Sequence, residues 1–365
     1  MSEGDLYRKI TQNFLNAGGM PIPITDTVVE IMKLVFTEEQ AKFLLNFKKS
    51  YRPEQLKSIT DLEGDALDKM LKELMHLGAV IGLESRSAGV MVYRLAPFFP
   101  GMLEFTLMRG EFGEKQKKLA QLWEDVFNEM VENTQKHYKR WLKVYAKLPA
   151  IDRVVPVEEL VEVPEEVILP FEEISKILEK AEVIGVATCY CRHRKDLLDD
   201  PCKVTDDRKN CFALGRGGKF LISQGFAEEI SKEEALKILR TAEDQGLVHK
   251  AFHARFNLDR EEDGLCSCCK CCCGTFEVHH RGAAPMLSMT SYIAEIKTDD
   301  CIGCGTCVEK CNALAIELED DIAVIDENIC IGCGVCVHLC PENAIELKRT
   351  GPRKVLVPPV KLMDK

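Results

Sequence analysis

The sequence predicts an α+β chain of several domains, on three observations. Its 365 residues exceed what one small core organises. A cysteine-free first part repeats apolar residues at helical spacing. Beyond it, short strand-like runs alternate with helical ones and lead into cysteine-rich stretches. The 46% hydrophobic and 29% charged fractions exclude a disordered or collagen-like chain. No apolar run approaches the ~20 residues of a membrane span. The start, Met1 to Arg8, lacks a secretory pattern, so a cytoplasmic protein is expected. All 18 cysteines lie between Cys189 and Cys340. Without export, so many thiols favour metal over disulfides. A net charge of −11 argues against nucleic acid or anionic membrane as partner.

Residues 1–110 come first. Thr37 and Gln40 fit a capping box opening a helix with Ala41, Leu44 and Leu45. Pro53 suits the first turn of a short helix holding Leu56 and Ile59. Leu62, Ala66, Leu67, Met70, Leu71, Leu74 and Leu77 form a stripe that Gly78 terminates. Two strand-like pieces follow, 79–83 and 90–95, with Gly89 in their connection. Three short helices and a β-hairpin resemble a winged-helix domain, which implies DNA binding. The charges oppose that use: 13 basic and 14 acidic side chains, with Asp61, Glu63, Asp65 and Asp68 where the recognition helix would begin. A docking or dimerisation module is expected instead, and a homodimer stays open.

Residues 111–170 read as a long amphipathic helix, 113–148, and then a surface connector. The helix carries Leu119, Leu122, Val126, Met130 and Trp141 near one face. Prolines 149, 156, 164 and 170 suggest an extended connector. Residues 171–291 form a cysteine-rich domain. A helix with Ile174, Ile177 and Leu178 precedes a strand, 183–188, that runs into Cys189. Ser231 and Glu234 cap a helix holding Leu236, Leu239 and Ala242; Gly246 stops it and 247–253 looks like a strand. Six cysteines then fall within 266–273.

Residues 292–348 carry an internal repeat. Positions 301–318 align with 330–347 at an offset of 29, with 12 of 18 residues identical. Each half reads Cys-x2-Cys-x2-Cys-x3-Cys, which resembles the bacterial-type two-cluster ferredoxin. The resemblance implies that Cys301, Cys304, Cys307 and Cys340 hold one [4Fe–4S] cluster, and Cys330, Cys333, Cys336 and Cys311 the other. Gly303, Gly305, Gly332 and Gly334 would let each loop wrap its cube, with Ile302 and Ile331 as covers. Pro341 follows Cys340 as that pattern asks, whereas Asn312 follows Cys311. Four-thiolate zinc normally uses two separated pairs, so zinc does not suit this spacing. Twelve acidic and three basic side chains within 292–348 would steer the domain to a redox partner with a basic patch. Residues 349–365 form a C-terminal tail.

Ten further cysteines remain: Cys189, Cys191, Cys202, Cys211, Cys266, Cys268, Cys269, Cys271, Cys272 and Cys273. Their two separated groups would close on at least one more metal centre, iron–sulfur as first reading and zinc as rival. Adjacent cysteines point in different directions, so the whole run cannot ligate one cube. The Cys-x-Cys-Arg element and the Cys-Cys-x-Cys-Cys-Cys run over 172–274 resemble an uncharacterised group of iron–sulfur proteins of anaerobes, a resemblance that brings no reaction. Arg192, Arg194, Arg216 and Lys270 stand beside these cysteines, as anion-holding groups or plain solvated charge. His193, His279 and His280 rank low as ligands where thiols abound. Gly215 to Gly218 lacks the strand and helix that a dinucleotide fingerprint needs, and no other catalytic motif stands out. The expected function is electron transfer, as a carrier or an oxidoreductase subunit rather than a stand-alone enzyme. The alternatives are a reductase with a catalytic central site and a redox-sensing regulator.

Overall fold

The computed structural model describes residues 3–20, 22–85, 89–161, 172–253 and 262–362. The chain forms two compact units. Unit one comprises Met1–Asn128, Thr188–Pro201 and Lys219–Glu228; unit two comprises Glu129–Ala187, Cys202–Gly218 and Glu229–Lys365. Among the described residues no helix is long and apolar enough to cross a membrane.

Unit one opens with helices Glu3–Asn16, Asp26–Val35, Glu38–Leu44, Pro53–Lys57 and Gly64–His76. The Thr37 hydroxyl accepts the Gln40 backbone N–H, and the Gln40 side chain returns the bond to Thr37. That reciprocal cap satisfies donors the first turn leaves orphaned. Gly78 (φ +73°) ends the last of these helices, where a Cβ would collide with the Phe105 ring. Strands β1 (Val80–Glu84) and β2 (Met91–Leu95) then form an antiparallel hairpin. The expected elements of residues 1–110 are thus present; residues 86–88 of the connection lie outside the described residues.

The long helix expected over 113–148 is two helices, Glu114–Lys136 and Tyr138–Tyr145, because His137 leaves helical geometry (φ −119°, ψ 31°). The surface connector expected after it begins as a buried strand, β3 (Asp152–Val155). Its valines pack in the core, which a proline count did not disclose. Residues 162–171, with Pro164 and Pro170, lie outside the described residues.

Unit two is organised by a mixed sheet. Its strands are β3, β4 (Ile184–Thr188), β5 (Lys209–Leu214), β7 (Val248–Phe252), β8 (Gly264–Cys268), β9 (Met286–Ile296) and β12 (Ile345–Val357); the short β6 is Ala227–Glu229. The order is β12-β9-β3-β7-β8-β5-β4. Helices Ile174–Lys180 and Lys232–Asp244 cover one region, where Ile177, Leu178, Ala235 and Leu239 meet Val186, Phe212, Leu214 and Leu265. A second core joins Val154, Val248 and Phe276 to Ile293, Ile316, Ile331 and Ile345. Strand β9 runs through the position 291/292, and β12 through 348/349. The cysteine-rich part and the repeat therefore share one sheet and one apolar core. Hairpin β10 (Ile316–Glu319) and β11 (Ile322–Ile325) sits between the repeat's halves.

The segment Gly215–Gly218 follows β5 directly and opens helix Gly215–Ser223. Strand and helix do flank it, contrary to expectation, because the glycine-rich composition hid a helix start. Phe220 still occupies the position where the fingerprint needs its last glycine.

Candidate metal centres

The repeat builds two similar cysteine loops. Gly305 (φ +76°) and Gly334 (φ +78°) turn the chain into helices Thr306–Lys310 and Val335–His338, placing Cys307 and Cys336 on their first turns. One cavity is lined by Cys301, Cys304, Cys307 and Cys340, with Leu318, Ala323 and Ile345 as apolar walls. Cys311 is an electrostatic neighbour of Cys330, Cys333 and Cys336 in the other half of the repeat. At the last cysteine of each half a backbone N–H points at sulfur: Ala315 N to Cys311 Sγ at 3.2 Å, and Ala344 N to Cys340 Sγ at 3.3 Å. Both alanines belong to the repeated Ala-Ile-Glu-Leu, a signal visible in the sequence but unused. Such bonds stabilise thiolate and tune a bound cluster.

The halves differ in exposure. Cys304 is exposed and Ile302 is 65% exposed, so Ile302 does not cover its loop. Ile331, at 1%, is fully buried. Burial pushes the Cys333 thiol up to about 12, and likewise raises Cys311 and Cys336. Hydrogen bonds from Thr306 lower the exposed Cys304. Val157 N–H bonds the Cys333 carbonyl at 3.1 Å, so the segment after β3 lies over the second loop. Buried thiolates of this kind need a cation's charge, and the donor set fits iron in both loops.

The ten central cysteines divide by unit and, within unit two, by sulfur contact. Cys189 and Cys191 belong to unit one. β4 delivers Cys189 as the N-cap of helix Tyr190–Leu197, with Cys191 buried in its first turn. Arg192 and Arg194 are buried there, so neither is solvated charge; Arg194 pairs with Glu124 and lies 4.8 Å from the Phe127 ring centroid. In unit two, Cys266 and Cys268 share a face of β8, their Sγ atoms 2.8 Å apart. Cys211 is the register partner of Cys266, and Cys273 hydrogen-bonds with Cys268. The third group is Cys202, Cys269, Cys271 and Cys272, whose Sγ atoms all lie within 4.8 Å of one another. Contacts among these thiols pull the Cys202 pKa down, with Cys269 the largest cause, and push that of Cys272 up, with Cys202 the largest.

Lys270, between Cys269 and Cys271, is tied to the first half of the repeat. Its backbone N–H reaches Asn312 Oδ1 at 2.8 Å and its ammonium donates to the Glu309 carbonyl at 2.6 Å. Asn312 donates in turn to the Gly246 carbonyl at 2.9 Å. The histidines are engaged with backbone: His193 Nε2 with the Glu111 carbonyl, His280 Nε2 with that of Asn312, and His279 Nδ1 accepting the Met286 N–H. Burial pushes His279 down to about 4.

Residues 294–347 match the family model of a 4Fe-4S dicluster domain. The cavity, the grouping of Cys311 with the second loop and the N–H···S bonds all lie within this dicluster domain. No curated protein and no solved structure matches the chain, and nothing supports the resemblance seen over 172–274.

Proposed function

We propose that the chain is an iron–sulfur electron-transfer protein, acting as a carrier or as the electron-transfer subunit of an anaerobic oxidoreductase. The observation that carries this reading is the graded exposure of two thiol sets within the dicluster domain. In this reading Cys301, Cys304, Cys307 and Cys340 hold the solvent-facing cluster, and Cys311, Cys330, Cys333 and Cys336 the buried one. A [4Fe–4S] cube supplies one-electron oxidation and reduction at each set. The exposed loop around Cys304 offers a port to a partner. The 12 acidic side chains of 292–348 favour a basic docking face there. On the buried side, Lys270 and Asn312 link the central thiols to Cys311 through one hydrogen bond and a short covalent path. The test is anaerobic reduction followed by mixing with oxidised redox proteins, one basic and one acidic at the docking face. Rapid, salt-sensitive oxidation by the basic partner is expected. Clusters that no protein partner oxidises would overturn the reading.

The 2.8 Å approach of Cys266 and Cys268 favours one second reading, a thiol reductase. There the dithiol, attacking through one deprotonated sulfur, would reduce a disulfide substrate, forming a Cys266–Cys268 bond, breaking the substrate S–S bond and passing its two protons to the two substrate thiols released. Two electrons, delivered singly by the clusters, and two protons would restore it. Substrate-dependent reoxidation of the reduced protein without a partner would select this reading.

A further inference from the structure

We propose that Cys202, Cys269, Cys271 and Cys272 bind a single thiophilic metal ion in a tetrahedral tetrathiolate site, distinct from the cubes of the dicluster domain. This goes beyond the function proposed above and stands on the geometry of the central cysteines. Four thiolates about 2.3 Å from one zinc-sized ion stand about 3.8 Å apart along each tetrahedral edge. Cys202 Sγ lies 3.7 Å from the sulfurs of both Cys269 and Cys271. Cys269 and Cys271 are 3.7 Å apart, and Cys271 and Cys272 are 3.5 Å apart. These are the edges of a cage for one ion.

A cube demands a wider set, because each thiolate binds a different corner iron and the sulfurs stand outside the corners. The dicluster domain supplies the comparison within the same chain. Among the described residues, the four central thiols are the one metal-ligating group gathered within 4.8 Å; neither quartet of the dicluster domain is. The local chain explains the closeness. Lys270 is fixed outward onto Asn312, Glu309 and Cys311, which leaves Cys269 and Cys271 to converge on one point. Cys272 follows them, and Cys202 closes the cage from a separate loop. Cys269 and Cys272 are 1% exposed, Cys202 is 8% and Cys271 is half-buried, so all four positions of the ion are filled by largely covered thiols, as in a structural rather than a substrate-binding site. Zinc and ferrous iron share the required softness and geometry.

The test uses full-length protein purified without oxygen, counting zinc, iron and acid-labile sulfide per chain. In Cys202→Ser and in Cys271→Ser, total metal should fall by about one ion with sulfide unchanged. Loss of zinc identifies a zinc site. Loss of iron, together with loss of a high-spin ferric mononuclear EPR signal that the unsubstituted protein shows after mild oxidation, identifies an iron site. A fall of about four irons with about four sulfides would assign a cube instead. Unchanged metal in both variants would equally overturn the site. Should Cys202→Ser unfold by circular dichroism, the less buried Cys271→Ser decides. Reducibility of the dicluster clusters is measured separately, so failure of the electron-transfer reading leaves the metal count standing, and the reverse.

Discussion

Gly332→Ala should remove one cluster and leave the other. Gly332 has φ +62°, a region that costs an L-residue about 1–2 kcal/mol. A Cβ at that position would stand 2.1 Å from the Tyr292 carbonyl oxygen. Ordinary contact begins at 3.4 Å, so something must retreat by about 1.3 Å. Tyr292 cannot, because it lies within β9 and pairs with Arg349 of β12. The loop that carries Cys330 and Cys333 must move instead, by enough to spoil ligation. Two controls separate strain from collision. Gly351 has φ +77° and open space around it, so Gly351→Ala should cost about 1 kcal/mol and keep both clusters. Gly303 would meet the Asp321 carbonyl at 2.2 Å, but Asp321 sits in an exposed hairpin turn that can yield. Its Ala variant should fall between the two. Anaerobic iron and sulfide analysis reads the result: Gly332→Ala loses about four irons, and EPR of the reduced protein changes from coupled to isolated clusters. Full iron in Gly332→Ala, or equal loss in Gly351→Ala, would refute the reasoning.

Three further outcomes are expected. Burial pushes Glu104 up to about 7 from 4.5, so folded unit one holds its proton where the unfolded chain releases it. Its contribution is complete below about pH 4.5 and disappears by about pH 7, a loss of about 3 kcal/mol that Glu104→Gln should abolish. Fluorescence of Trp123, which packs on Phe98, would follow urea unfolding in a Trp141→Phe background; a wild-type slope identical to that of the Gln variant would count against it. Lys250 and Asp152 form a fully buried pair at 2.9 Å, so Asp152→Asn should cost about 3–5 kcal/mol while Asp152→Asn with Lys250→Met costs less. A double variant weaker than the single in thermal unfolding would contradict this. Asn312→Ala should lower stability by about 1–3 kcal/mol by stranding the Lys270 N–H and the Gly246 carbonyl, with iron content unchanged; denaturation and iron analysis check both.

What the sequence disclosed followed from strictly periodic signals. The offset of 29 marks the dicluster domain, because a ligand set and its glycines must recur in order. Caps at Thr37 and Ser231 locate helix starts, because each satisfies backbone donors within three residues. Strand β3 stayed hidden: four residues, Asp152–Val155, are too few for periodicity, and the prolines near them suggested exposure. The grouping of ten central cysteines was equally hidden. Which thiols converge depends on the β7–β8 pairing and on where Lys270 is tied, and both are long-range contacts.

Asn312 shows how one departure from a repeat carries structural meaning. Its counterpart in the other half, Pro341, follows Cys340 and is exposed. Asn312 is 4% exposed and uses both ends of its amide, accepting from Lys270 N and donating to the Gly246 carbonyl. A proline there has no side-chain donor or acceptor and would leave those two backbone groups without this partner. The asymmetry of the dicluster domain thus begins at this residue. Cys340, which lines the solvent-facing cavity, keeps its proline, whereas Cys311, beside the buried thiols, is followed by Asn312, which clamps the loop of Cys269 and Cys271. The clamp fixes the loop that carries Cys269 and Cys271 to the residue next to Cys311, so that loop and the dicluster domain are held together by a hydrogen bond that proline could not make.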